Sequence, residues 1–96
     1  ELRRRTNKFW LLNGVTMFDP DQTFIDVTVE IGQDVTLLPG TLLQGRTRIG
    51  DACEIGPNTR LIDTTVERGA QVQYSVCENC TVDADTIVGP FAHLHS

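Results

Sequence analysis

The chain has 96 residues, a net charge of −5 and a pI of about 4.7. This acidic balance argues against nucleic acid as a partner, despite the short basic run Arg3-Arg4-Arg5, and no apolar stretch approaches the roughly 18 residues of a membrane span. An odd number of cysteines, three, favours a reducing cytoplasm over a disulfide scaffold.

Residues 1–14 are predicted to be the end of a helical linker. Good helix formers run to Leu12, and Asn13-Gly14 is a typical helix stop, with Gly14 supplying a left-handed C-cap. The apolar residues from Phe9 to Leu12 would cover the start of the structure after the helix. Residues 15–24 are predicted to form a connecting strand and a turn, because Asp19-Pro20-Asp21 has typical turn chemistry.

From residue 25 the sequence repeats every six residues, a period that neither a helix nor a plain strand has. Aliphatic side chains occupy one column: Ile25, Ile31, Leu37, Leu43, Ile49, Ile55 and Leu61. Small or β-branched residues occupy a second column four positions later: Val29, Val35, Thr41, Thr47, Cys53, Thr59 and Thr65. This pattern resembles the hexapeptide repeat of the left-handed parallel β-helix, in which three hexads form a triangular coil and the aliphatic column lines the inside.

The fold class is therefore predicted to be all-β, a left-handed parallel β-helix of about four coils over residues 25–96. The repeat is irregular after Leu61, since its next steps fall at Val66 and Val72 and then only ten residues later at Val82. We expect the extra residues, near Cys77–Asn79, to bulge out of the coil. Because the chain stops inside a hexad after Leu94, we expect a β-helix truncated at its C-terminus, either a piece of a longer chain or a chain that relies on a partner to cover its last coil.

Four residues raise the question of a zinc site: Cys77, Cys80, His93 and His95. The predicted bulge would point Cys77 away from Cys80, and the single-residue gap between the histidines is shorter than usual in structural zinc sites. We therefore expect no metal site in this chain. The acidic residues Asp34, Asp51 and Asp63 fall at predicted corners without an activating partner, and we expect no catalytic residue.

Two stretches carry a resemblance to a known family. "LLNGVTMFDP", from Leu11 to Pro20, and "VGPFAHL", from Val88 to Leu94, are similar to segments of bifunctional bacterial N-acetylglucosamine-1-phosphate uridyltransferase/glucosamine-1-phosphate acetyltransferases. The resemblance implies a parent enzyme that transfers acetyl from acetyl-CoA to glucosamine-1-phosphate and then uridyl from UTP with Mg²⁺. It also implies a cytoplasmic homotrimer that makes UDP-N-acetylglucosamine for peptidoglycan in the cell wall.

The same resemblance singles out one candidate substrate-binding residue. In the family an arginine that holds the anionic substrate follows Gly-Pro-Phe-Ala-x-Leu, and His95 stands at this position, with Ser96 where a proline is expected. The alternative is that His93 and His95 are merely exposed corner residues. The family's base and its acetyl-CoA contacts lie in later coils, so the resemblance implies that this segment is structural and inert, without a cofactor of its own. The competing hypothesis is a non-catalytic hexapeptide-repeat scaffold or regulatory tail of another sugar-nucleotide transferase.

Overall fold

A computed structural model describes the backbone of residues 2–95 and the side chains of residues 5–95. Expectations that concern the side chains of Arg3 and Arg4, or Ser96, lie outside the described residues. Within residues 2–95 the chain forms one α-helix, one short 3-10 turn at Pro20–Gln22 and fourteen short strands. The helix is α1 (Leu2–Leu12). The strands are β1 (Thr16–Met17), β2 (Thr23–Ile25), β3 (Glu30–Ile31), β4 (Thr36–Leu37), β5 (Thr41–Gln44), β6 (Arg48–Ile49), β7 (Glu54–Ile55), β8 (Arg60–Ile62), β9 (Thr65–Val66), β10 (Gln71–Val72), β11 (Val76–Glu78), β12 (Thr81–Val82), β13 (Ile87–Val88) and β14 (His93–His95).

The strands form three parallel sheets, and consecutive strands belong to different sheets. Sheet 1 has the order β1-β4-β7-β10-β13, sheet 2 the order β2-β5-β8-β11-β14 and sheet 3 the order β3-β6-β9-β12. The chain thus winds around three faces as a left-handed β-helix, and this part of the prediction is confirmed. It has about five turns rather than about four, because β1 already stacks on β4 and β2 on β5, ahead of the first complete hexads.

Helix α1 lies against the first coil, and its end agrees with the sequence signals. Gly14 has a φ of +92°, as a left-handed C-cap requires. The buried side chain of Asn7 donates hydrogen bonds from Nδ2 to the carbonyls of Pro20, at 2.8 Å, and Thr23, at 3.0 Å. Trp10 packs against the core, whereas Phe9 is 55% exposed. Trp10 and Asn7 therefore cover the first coil, whereas the predicted apolar cluster as a whole does not.

The two predicted columns line the interior of the β-helix. Leu43 stacks in register on Leu61, and both are fully buried. In the second column the Thr47 hydroxyl donates to the carbonyl of Gln44, at 2.8 Å, and also lies 3.2 Å from the carbonyl of Leu61 in the next coil. Threonine suits this column because its methyl group fills the interior while its hydroxyl satisfies corner carbonyls that are shielded from water.

The predicted bulge at Cys77–Asn79 is wrong. Cys77 belongs to the inner column, where it is fully buried and pairs in register with Leu61 on one side and Leu94 on the other. The step from Val72 to Cys77 and the step from Cys77 to Val82 are each five residues long, so no residue is left over. Since each shortened step removes one residue from a corner, the strands keep their pairing.

The second column also shifts by one position after Leu61. Thr64 is fully buried and its hydroxyl donates to the carbonyl of Cys77 at 3.0 Å, whereas the predicted member of the column, Thr65, is only half-buried. The reason is another five-residue step, from Leu61 to Val66, because the small residue keeps its place two positions before the next inner residue, Val66.

Truncating an inner residue should destabilise the chain far more than truncating an outer one. Ile49→Ala should lower the free energy of unfolding by about 2–5 kcal/mol, because Ile49 is 4% exposed and the change leaves a cavity. Arg46→Ala should lower it by less than about 1 kcal/mol, because Arg46 lies outside the core. Denaturant unfolding of the two variants measures both values, and equal losses would contradict the register.

Candidate functional site

The candidate substrate-binding residue, His95, lies on the outer face of sheet 2 together with His93. Both histidines are exposed, and both belong to strand β14 rather than to a corner. In the neighbouring strand β11, Glu78 is in register with His95. The Glu78 Oε2 atom lies 3.5 Å from Nε2 of His93 and 3.6 Å from Nε2 of His95. Any anion approaching His95 therefore also meets the Glu78 carboxylate.

Glu78 was not among the residues predicted for the site, although the sequence contains a signal for it. Strand residues alternate between the two faces of a sheet, so an inward Cys77 places Glu78 on the outside. The incorrect prediction of a bulge placed Cys77 outside the inner column. It therefore also placed the next residue, Glu78, outside the sheet. Placing Cys77 correctly brings Glu78, His93 and His95 together on one face.

The four residues of the zinc hypothesis do not converge. The Cys77 side chain points into the core and Cys80 is half-buried against it, whereas His93 and His95 point to solvent from sheet 2. Burial, together with the adjacent Cys80 thiol, raises the pKa of the Cys77 thiol to about 12. Burial also raises the pKa of Cys53. These cysteines are core residues, and the backbone of sheet 2 separates Cys77 from the histidines.

Two of the three corner carboxylates singled out in the sequence, Asp51 and Asp63, bind the backbone of neighbouring coils. Asp51 Oδ1 accepts the amide of Gln33 at 2.8 Å, and Asp63 Oδ1 accepts the amide of Arg46 at 2.8 Å. Because these oxygens already have partners, the carboxylates stabilise corners and are not arranged as a general acid and base. Among the described residues, no group of three or more His, Cys, Asp or Glu side chains is placed to hold a metal ion.

Comparison with known proteins shows which proteins this chain is similar to, and the geometry of the site alone does not show this. The chain is 53% identical over 93 residues to the bifunctional protein GlmU of Caldanaerobacter subterraneus subsp. tengcongensis, which is 97% of this chain and 20% of that protein. The chain is similar to a segment of the bifunctional GlmU proteins. GlmU of Streptomyces avermitilis is 52% identical over 84 residues, 88% of this chain and 17% of that protein. The resemblance found in the sequence is thereby confirmed, and the chain spans about one fifth of the length of these GlmU proteins.

No family model matches the chain. Among solved structures, a mutant perosamine N-acetyltransferase from Caulobacter crescentus, in complex with CoA and GDP-perosamine, is 12% identical. The match covers 91% of this chain and 60% of that one, with a TM-score of 0.25. A TM-score this low decides neither fold nor function. In residues 2–95 no helix combines the length and the apolar character that crossing a bilayer requires.

The burial of the cysteines predicts their order of reaction with a thiol reagent. At neutral pH, iodoacetamide should modify Cys80 first, because Cys80 is the least buried of the three. Cys77 should react only after unfolding, since burial raises its pKa to about 12 and leaves almost no thiolate to attack the reagent. Mass spectrometry of peptides from native and denatured protein measures the order. Early modification of Cys77 in the native protein would contradict its place in the core.

Proposed function

We propose that the chain is the linker end and first coils of the acetyltransferase half of a bifunctional enzyme. The parent would transfer acetyl from acetyl-CoA to glucosamine-1-phosphate, and then uridyl from UTP with Mg²⁺, to make UDP-N-acetylglucosamine for peptidoglycan. The observation that carries this proposal is the 53% identity to a bifunctional protein GlmU over 97% of the chain. The same proposal makes the parent a cytoplasmic homotrimer.

The role of these residues within the parent is structural in this proposal. Helix α1 ends against the first coil through Asn7 and Trp10, and the later coils stack on one another in register. A segment built in this way fixes the distance and the angle between the two catalytic halves of the parent. The corner carboxylates support the same role, because their hydrogen bonds join neighbouring coils.

The 96-residue chain should not acetylate glucosamine-1-phosphate by itself. The corner carboxylates of Asp51 and Asp63 bind backbone amides, and the two histidines lie on an open outer face. Incubation with acetyl-CoA and glucosamine-1-phosphate, with detection of the free CoA thiol, measures the activity. Turnover above a heat-denatured control would contradict the inert, structural role.

A chimera tests the proposed parent. The matching 93 residues of the Caldanaerobacter GlmU should be replaceable by the corresponding residues of this chain, with both acetyl and uridyl transfer retained. In the chimera, Leu43→Asp should abolish acetyl transfer, because it places a charge at a fully buried position of the β-helix, and uridyl transfer should remain. Arg46→Ala is the matched control and should keep both activities. A folded chimera without acetyl transfer would instead favour the competing scaffold hypothesis.

In this proposal His95 contacts the anionic sugar phosphate. Arginine carries a permanent charge and binds phosphate through two nitrogens, whereas histidine is largely neutral near pH 7. In the chimera, His95→Arg should therefore lower the KM for glucosamine-1-phosphate, and His95→Ala should raise it. His93→Ala is the matched control, because His93 lies two residues away on the same face. Equal KM values for the His95→Ala and His93→Ala variants would contradict a specific role of His95.

A further inference from the structure

Two cysteines lie on either side of one corner of the β-helix, and both pack on its core. Cys77 is fully buried in the inner column, and Cys80, three residues later, is half-buried against the same core. We propose that Cys77 and Cys80 form a reversible disulfide when the protein meets a hydroperoxide. This redox-sensitive site is separate from the proposed function, and it involves neither His93 nor His95.

The left-handed residue Asn79 brings the two side chains to the same side of the chain. Along a straight strand, residues three apart point to opposite faces of the sheet. Asn79 instead has a φ of +52° and the chain bends there, so that Cys80 returns to the core in which Cys77 lies. The corner between sheets 2 and 3 therefore carries a Cys-x-x-Cys pair with both side chains against the core.

The two thiols are also neighbours in space. The Thr64 hydroxyl, in the preceding coil, lies 3.0 Å from the carbonyl of Cys77 and 4.0 Å from the sulfur of Cys80. Besides burial, a hydrogen bond between the thiols of Cys77 and Cys80 raises the pKa of Cys77. Because the two sulfurs are already in contact, the strands keep their register while a bond forms between them.

Hydrogen bonds to the preceding coil hold the backbone of this corner in place. The amide of Asn79 donates to the carbonyl of Ile62 at 2.8 Å, and the amide of Thr65 donates to the carbonyl of Cys80 at 3.0 Å. The two thiols are therefore held together by the folded chain, and their pairing does not require unfolding.

The third cysteine, Cys53, provides an internal comparison. Cys53 is 2% exposed, and its thiol donates to the carbonyl of Glu67 at 3.1 Å. The residue three positions before it is Gly50, so Cys53 has no second thiol across its corner. We therefore expect Cys53 to stay reduced under conditions that link Cys77 to Cys80.

Hydrogen peroxide supplies the oxidising equivalents, and the reaction starts at Cys80, the least buried of the three cysteines. The Cys80 sulfur attacks one peroxide oxygen, the oxygen–oxygen bond breaks, and a sulfenic acid forms while the other oxygen leaves with the thiol proton as water. The Cys77 sulfur then displaces the sulfenic oxygen, which leaves with the Cys77 proton as a second water. Two electrons thus pass from two thiols to one peroxide, and a dithiol reductant reverses the change.

Oxidation of the untagged 96-residue chain with hydrogen peroxide tests the site. After unfolding and alkylation with N-ethylmaleimide, mass spectrometry should show a disulfide between Cys77 and Cys80, an alkylated Cys53 and an intact monomer that has lost two hydrogen atoms. Dithiothreitol should restore alkylation of all three cysteines. In Cys77→Val the sulfenic acid of Cys80 should persist and react with dimedone. Cys53→Ser is the matched control and should form the disulfide at an unchanged rate.

Several results would overturn the proposal. They are disulfide-linked dimers, a disulfide that includes Cys53, a sulfinic acid at Cys80 beside a reduced Cys77, and three cysteines that stay reduced. Circular dichroism checks the fold of each variant, and if Cys77→Val does not fold, the disulfide map of the unsubstituted chain decides alone. Failure of this proposal would not affect the chimera experiment, in which acetyl transfer is measured.

Discussion

The hydrogen bonds that hold this chain together run from each coil to the next. The amide of Thr36 donates to the carbonyl of Cys53 at 2.9 Å, and the amide of Glu54 donates to the carbonyl of Ala70 at 3.1 Å. A single coil has no partner for its strands and no cover for its aliphatic side chains. Because pairing and burial both depend on the neighbouring coil, the register of the inner column determines every other feature of the molecule.

This constraint explains which irregularities the fold accepts. The corner between sheets 1 and 2 contains Gly56-Pro57-Asn58 in one coil and is one residue shorter around Tyr74 in the next, yet Leu61 and Cys77 still pair in register. Corners lie outside the sheets, so a lost residue there costs no strand pairing. The inner column must also be filled, and Cys77 meets this need as a small apolar residue.

The sequence was informative where the repeat is strict and less informative where it breaks. The inner column from Ile25 to Leu61, the helix end at Gly14 and the left-handed β-helix all result from local patterns. The course of the chain between Val72 and Val82 does not, because a five-residue step and a cysteine in an aliphatic column both depart from the pattern. In such a stretch the stacking on neighbouring coils determines the register, and one sequence read alone does not contain it.

The same irregular stretch of the repeat is the reason that Glu78 was not predicted to lie beside the two histidines. The alternative drawn from the sequence was that His93 and His95 are exposed corner residues; both are exposed, but they lie on a strand. Their position opposite Glu78 depends on the two short steps on either side of Cys77, which bring residues distant in sequence into register. The outer surface of a β-helix is thus a consequence of its inner column, since an error of one residue inside changes which polar groups meet outside.

The most direct measurement is a nuclear Overhauser experiment on Cys77 in solution. Strands paired in a sheet lie about 4.8 Å apart, and Cys77 lies between Leu61 and Leu94. The β-protons of Cys77 should therefore show cross-peaks to the methyl groups of both leucines. Cross-peaks between Leu61 and Val82 methyl groups, with none from Cys77 to either leucine, would show that Cys77 lies outside the inner column and would contradict this account.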